Sequence, residues 1–118
     1  MAATVLIVED NFDLSTLFQM VLGLDQIDAE VCRDGRTALQ QIQATRPRVI
    51  ILDMHLPHVS GEEIFAYVQE NHPESTVLIV TADLELFGKY SLLHPRKTFQ
   101  KPMEMDLFRA EVRAALKE

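Results

Sequence analysis

Apolar residues follow two alternating rhythms along the chain. Three short runs, Val5-Leu6-Ile7-Val8 after Thr4, Val49-Ile50-Ile51-Leu52, and Val77-Leu78-Ile79-Val80 after Thr76, are unbroken and rich in β-branched residues. Runs of this kind belong to strands buried on both faces, as in a parallel sheet covered by helices. Ala29-Glu30-Val31-Cys32 reads as another short strand and Lys97-Thr98-Phe99-Gln100 as a fifth, weaker one. Between the strands the spacing turns helical. Leu14, Leu17, Phe18 and Val21 predict an amphipathic helix over residues 12–24, with Gly23 and the polar Asp25-Gln26 marking its end. Asp34 has the residue type of an N-cap, Ala38, Leu39 and Ile42 follow as an apolar stripe, and Pro47 closes that helix. Ser60-Gly61-Glu62-Glu63 fits a capping box, in front of Ile64, Phe65 and Val68, and Pro73 ends this third helix. Between Asp83 and Arg96, Leu84, Phe87 and Leu92 suggest a short helix that Gly88 and Pro95 interrupt. Leu107, Phe108, Val112, Ala115 and Leu116 define the last helix.

The order is strand then helix, five times over. That alternation predicts an α/β fold: a doubly wound, five-stranded parallel sheet with five helices on its two faces, forming one domain over residues 1–118. Right-handed crossovers place the C-terminal end of every strand on the same edge of such a sheet. No internal repeat, low-complexity tract or linker interrupts the pattern.

Composition narrows the picture. The chain has 118 residues, enough to bury a core without staples, and 47% of them are hydrophobic, as in ordinary globular proteins. Net charge is 11 − 18 = −7, against the clustered Lys and Arg that direct nucleic-acid binding needs. The single cysteine, Cys32, excludes an internal disulfide and a cysteine metal site, and its place in an apolar stretch predicts a small buried residue. No apolar run approaches the ~20 residues that cross a bilayer, and no basic region precedes an apolar one at the N-terminus, so a soluble, cytoplasmic chain is expected.

The candidate chemistry lies at the predicted strand ends. The first strand delivers Glu9 and Asp10, the third Asp53, the fourth Thr81 and the fifth Lys101. Each has a plain structural reading: Glu9 and Asp10 as helix caps, Asp53 as a strand terminator, Thr81 as a strand-end hydroxyl, Lys101 as a surface lysine. Their meeting on one edge favours a site, the place where open α/β sheets bind ligands. Adjacent carboxylates repel one another unless a cation joins them, and oxygen ligands with water suit a hard ion such as Mg²⁺. A lysine and a hydroxyl facing the same point suit the oxygens of an incoming phosphoryl group.

Val5-Leu6-Ile7-Val8-Glu9-Asp10-Asn11, Asp53-Met54-His55-Leu56-Pro57 with Gly61 beyond it, Thr81-Ala82 and Lys101-Pro102 stand in an order and spacing that resembles the receiver (response regulator) domains of bacterial two-component signalling. The resemblance covers essentially the whole chain and implies the strand order 2-1-3-4-5. It implies that Asp53 is the phosphoacceptor and carboxylate nucleophile, that Asp10 binds Mg²⁺ directly, and that Glu9 is its outer companion in a place often filled by aspartate. The backbone carbonyl of His55 completes the metal shell. Lys101 pairs with Asp53 before transfer and with the phosphoryl group afterwards, and Thr81 turns its hydroxyl toward that group. Pro57 and Gly61 shape the loop, and the Lys101–Pro102 peptide is cis. The implied partners are a sensor histidine kinase or histidine phosphotransfer protein, with an output domain or partner protein beyond it. The implied output is a two-state shift at the surface of the fourth helix, fifth strand and fifth helix, which could also serve a homodimer. Neither nucleic acid nor membrane is an expected partner of this domain, and the resemblance implies a phosphoacceptor rather than an enzyme.

The chain departs from that family in two places. Thr98 stands where receivers usually carry an aromatic residue, and Phe99 beside it points to the opposite face of a strand. The usual Gly-Ala step before the fifth strand is also missing, while Tyr90 offers a substitute reporter. His55 and Asp83, two residues after Asp53 and Thr81, occupy positions that could tune phosphoryl lifetime, with solvated loop residues as the alternative. His55 and His58 lack the further ligands that a transition-metal site needs. Arg109, Arg113 and Lys117, mixed with Asp106 and Glu111, read as a solvated helix face or a partner surface. Two competing functions share the pattern. A haloacid-dehalogenase-type phosphatase also uses an aspartate nucleophile and Mg²⁺, but it wants an acid where His55 stands. A pseudo-receiver would serve as an interaction module alone, and Thr98 keeps that reading open. A nucleotide site lacks its glycine-rich loop after the first strand.

Overall fold

The computed structural model describes residues 5–82, 88 and 96–118. Five strands, β1 (Val5–Val8), β2 (Ala29–Cys32), β3 (Val49–Asp53), β4 (Thr76–Thr81) and β5 (Lys97–Gln100), form one parallel sheet in the order β2-β1-β3-β4-β5. Four helices are described: α1 (Phe12–Leu24), α2 (Gly35–Thr45), α3 (Gly61–Asn71) and α4 (Met105–Leu116). The helix expected between Asp83 and Arg96 lies outside the described residues, as do Asp83 and Tyr90. Among the described residues no helix is long and apolar enough to cross a membrane.

The unbroken apolar runs behave as their composition requires. Every residue of β1 and β3 is buried, because the side chains of these central strands alternate between two helix-covered faces. On one face Leu6, Val8, Ile50, Leu52, Val77 and Ile79 pack with Ala38 and Ile42 of α2 and with Ile64, Phe65 and Val68 of α3. On the other, Val5, Ile7, Val49, Ile51, Leu78 and Val80 pack with Phe18 and Leu22 of α1 and with Phe108, Val112 and Ala115 of α4. Phe99 of β5 joins this second core. Its ring meets Phe108 edge-on at 6.2 Å, and Phe108 stacks on Phe18 at 4.8 Å. Cys32 is buried in the first core, and burial pushes its thiol up.

Helix starts follow local chemistry. The Asn11 side chain accepts from the Leu14 N–H at 2.8 Å, that of Asp34 from Thr37 at 2.8 Å and that of Ser60 from Glu63 at 3.2 Å. Each satisfies an N–H that the helix leaves without an internal partner. Asn11 therefore caps α1, and Glu9 and Asp10 are left for other work.

Candidate functional site

The register of the sheet builds the site. Val8 pairs with Leu52, Asp53 with Val80 and Thr81 with Gln100, so the ends of four strands arrive at one level. Glu9 follows β1, Asp53 ends β3, Thr81 ends β4 and Lys101 follows β5. The backbone N–H of Lys101 donates to the Thr81 carbonyl at 2.8 Å, which fixes the lysine against β4, and the Lys101–Pro102 peptide is cis.

Ligand oxygens of Glu9, Asp10 and Asp53 lie within 4.8 Å of one another, the one such convergence of His, Cys, Asp and Glu among the described residues. His55 and His58 take no part in it. Glu9 and Asp53 are buried, whereas Asp10 is exposed at the mouth. Lys101 Nζ sits 2.6 Å from Glu9 Oε1 and 3.6 Å from Asp53 Oδ2. Lys101 thus pairs with Asp53, as the sequence reading expected, and more closely with Glu9. The His55 backbone N–H donates to Asp53 Oδ1 at 3.1 Å, and that of Asn11 to Glu9 Oε2 at 3.2 Å.

Burial dominates the electrostatics. It lifts Glu9 to about 7, although the Lys101 hydrogen bond pulls the other way and Asp53 adds its own push. Burial also raises Asp53, opposed by the side-chain hydrogen bond with Glu9, the His55 N–H and Lys101, with Asp10 adding to the rise. One ammonium faces three carboxylates, and an all-oxygen donor set under that excess of negative charge fits a hard divalent cation. Thr81 is wholly buried at the end of β4.

The loop that follows Asp53 is braced by two glycines. A Cβ on Gly61 would come within 2.5 Å of Met54 Cα and 2.8 Å of the Asp53 carbonyl oxygen. A Cβ on Gly35, at the start of α2, would lie 2.0 Å from the Val59 carbonyl oxygen. The Gly35 N–H also donates to Pro57 O at 3.1 Å, so α2 supports the loop directly. Neither Gly35 nor Asn11 stood out in the sequence. Their signals were a glycine directly after an N-cap and a capping residue after an acidic pair.

The basic residues of the last helix are mostly engaged within the molecule. Arg109 grips Asp25, the C-cap of α1, through two hydrogen bonds of 2.8 and 2.9 Å, and Arg113 adds a third at 2.9 Å. Arg96 bonds Glu111 at 2.7 Å and pairs with Glu118. Thr98 faces the α3 side of the sheet next to Ile79, half-buried, with a hydroxyl that has no hydrogen-bond partner among the described residues.

The family model of the response regulator receiver domain matches residues 5–113, and the chain belongs to that family. Among its relatives, the luminescence regulatory protein LuxO of Vibrio campbellii is 27% identical over 94% of this chain and 25% of its own length. The transcriptional regulatory protein TrcR of Mycobacterium tuberculosis is 37% identical over 66% of this chain and 30% of its own. The chain thus spans about a quarter of the length of the LuxO relatives it matches. In structure, the signal receiver domain of a LuxO-type repressor from Vibrio parahaemolyticus superposes with a TM-score of 0.88 at 29% identity, over 99% of this chain and 92% of that one. A CheY-like receiver domain protein from Methanospirillum hungatei reaches 0.88 at 19% identity, over 99% of this chain and 95% of that one, a likeness of fold alone. This is a receiver domain of two-component signalling, a family whose members generally accept phosphoryl groups rather than act as enzymes in the usual sense.

Proposed function

We propose that Asp53 accepts a phosphoryl group from a phosphohistidine on a sensor histidine kinase or histidine phosphotransfer protein. The observation that carries this reading is the convergence of Glu9, Asp10 and Asp53 with Lys101 at one sheet edge. A carboxylate oxygen of Asp53 forms the new bond to phosphorus as the bond from phosphorus to the donor nitrogen breaks. Glu9, Asp10, Asp53 and the His55 backbone carbonyl are the residues that would hold Mg²⁺, which supplies charge neutralisation for the phosphoryl oxygens. Lys101 supplies a second cation beside the same oxygens, and Thr81, at the end of β4, would turn its hydroxyl toward the product. By analogy with other phosphorylated side chains, phosphorylated Asp53 would carry about −1.5 to −2 of charge next to Thr81, in place of the carboxylate's single charge. That charge draws the hydroxyl inward and shifts the packing of the sheet edge and the surface around β5 and α4. Relatives with regulatory names support an output domain or partner as the receiver of that shift. α1 starts at the site edge with the exposed Phe12 and carries the exposed Leu17, Met20 and Leu24 along its length, apolar surface suited to a docking phosphoryl donor.

The test uses Mg²⁺ with acetyl phosphate, or with beryllium fluoride as a phosphoryl mimic. Intact-mass or fluorine NMR detection should find an adduct on the wild-type protein and none on Asp53→Asn. Absence of the wild-type adduct, or its survival in Asp53→Asn, removes the phosphoacceptor reading. A binding-only receiver is the second reading, favoured by Thr98 in place of the usual aromatic, and it predicts that first outcome.

A further inference from the structure

A cleft of about 640 Å³ lies between the first turns of α1 and the connection from β5 into α4. Leu14 and Leu17 form one wall, and Pro102, Met103 and Met105 form the other. Leu14, Met103 and Met105 are partly buried against the second core, so the floor of the cleft is the outer layer of that core. The volume falls within the range, about 300–1,000 Å³, of sites that take small ligands. Two methionines suit such a wall, because their unbranched side chains adapt to the shape of what they touch.

The polar groups of the cleft differ in what they have left to offer. Asn11 spends its side-chain oxygen on the Leu14 N–H, and Lys101 donates its ammonium to Glu9 at 2.6 Å. Asp13, exposed at the rim, makes no hydrogen bond or ion pair among the described residues. Its place in the first turn of α1 suits the helix dipole but gives the carboxylate no partner side chain. An apolar cleft with one open negative charge remains. Shape sets it apart from the rest of α1. Met20 and Leu24, 66% and 72% exposed, do not line it. Leu24 stands about 16 Å beyond Asp13 along the helix. That outer stripe is convex and open, as a macromolecular partner needs, whereas the cleft is walled on two sides and takes a single ring or chain.

We propose that the cleft binds a small organic cation, with a primary ammonium at Asp13 and a ring or short alkyl body between the leucines of α1 and the two methionines. An anion of the same shape would meet Asp13 and a chain of net charge −7. The site is separate from the acidic cluster, and its occupation does not depend on Asp53 accepting a phosphoryl group.

Methyl and amide NMR of the intact chain, with Mg²⁺ in excess to keep amines off the acidic cluster, tests the proposal. The probes are 3-phenylpropylamine and its carboxylate counterpart, 3-phenylpropionate. The amine should shift the methyl resonances of Leu14, Leu17, Met103 and Met105 and saturate in the millimolar range. The carboxylate should bind about three- to fivefold more weakly, the effect of one exposed charge pair. Asp13→Asn should erase that difference without disturbing the fold, since Asp13 bonds nothing, and Leu17→Lys should abolish the methionine shifts. Absence of methyl shifts, or equal binding of amine and carboxylate by wild type, overturns the proposal. Amine shifts confined to the surroundings of Glu9, Asp10 and Asp53 overturn it as well. So does a dependence of the ligand-free methyl resonances on protein concentration, which would seat a second copy of the chain in the cleft.

Discussion

At the scale of single residues, Asp25 shows how a position unfavourable on local grounds is made favourable by distant ones. A carboxylate at a helix C-terminus opposes the helix dipole. Here it is held by Arg109 and Arg113, which lie 84 and 88 positions further on. The Arg109 hydrogen bonds are the main reason its carboxyl is lowered from an ordinary 3.8 to about 2. A group whose folded value is depressed adds stability above its unfolded value and loses it as pH falls toward the folded one. Asp25→Asn should therefore lower the Tm at pH 5–7, and the difference from wild type should shrink to nothing between about pH 4 and pH 2 in a calorimetric series. A gap that holds constant across that range would show that the ion pairs do not stabilise the fold. The sequence marked Arg109 and Arg113 as a solvated or partner-facing row, because an ion pair across such a separation leaves no local trace. The place of Asp53 at the end of a buried strand was legible for the opposite reason: the apolar run ahead of it is a local signal, although its candidate role was read from the other strand ends. The preference of Lys101 for Glu9 was not, since a choice between two acids depends on differences of an ångström.

Among elements, the turn from β3 into α3 depends on absent side chains. Gly61 lies against Met54 and the Asp53 carbonyl, and both close atoms belong to backbone that cannot swing aside. Gly61→Ala should cost about 1–3 kcal/mol by overpacking, measurable by urea denaturation. It should also displace the loop that carries His55, weakening cation binding in the same protein. If stability and cation affinity are both unchanged, the brace has no function. The elements themselves were largely readable. Continuous β-branched runs marked the central strands, and Ser60 and Asp34 marked two helix starts. Asn11 was overlooked because the acidic residues before it offered themselves as caps as well as site residues, and the structure shows Asn11 taking the cap.

On the scale of the whole molecule, α1, α4 and β5 meet through the rings of Phe18, Phe108 and Phe99. Phe108→Ala removes the shared ring and should cost about 3–5 kcal/mol, seen as a large drop in the urea midpoint. A loss below about 1 kcal/mol would mean that the two helices are held mainly by the Asp25 bridges. A cation bound only by the folded chain stabilises it by linkage, by about 2.7 kcal/mol at one hundred times its Kd. Mg²⁺ should accordingly raise the Tm of wild type, EDTA should return it, and Asp10→Asn should blunt the response. The sheet order was legible from the alternation of strands and helices together with the family motifs, whereas Thr98 beside Ile79 shows where the sequence could name a departure but not what replaces it. β5 has β4 as its one neighbour in the sheet, whereas β1 and β3 are flanked on both sides. The lysine thus hangs from the sheet's rim while the buried acids sit on its central strands, 92 positions away along the chain in the case of Glu9. Fraying of that rim would carry the positive pole out of the site and leave the acidic bed assembled. Amide exchange should therefore be faster at Thr98–Gln100 than at Ile50–Leu52, and it should slow at the rim when beryllium fluoride gives Lys101 an anion to hold.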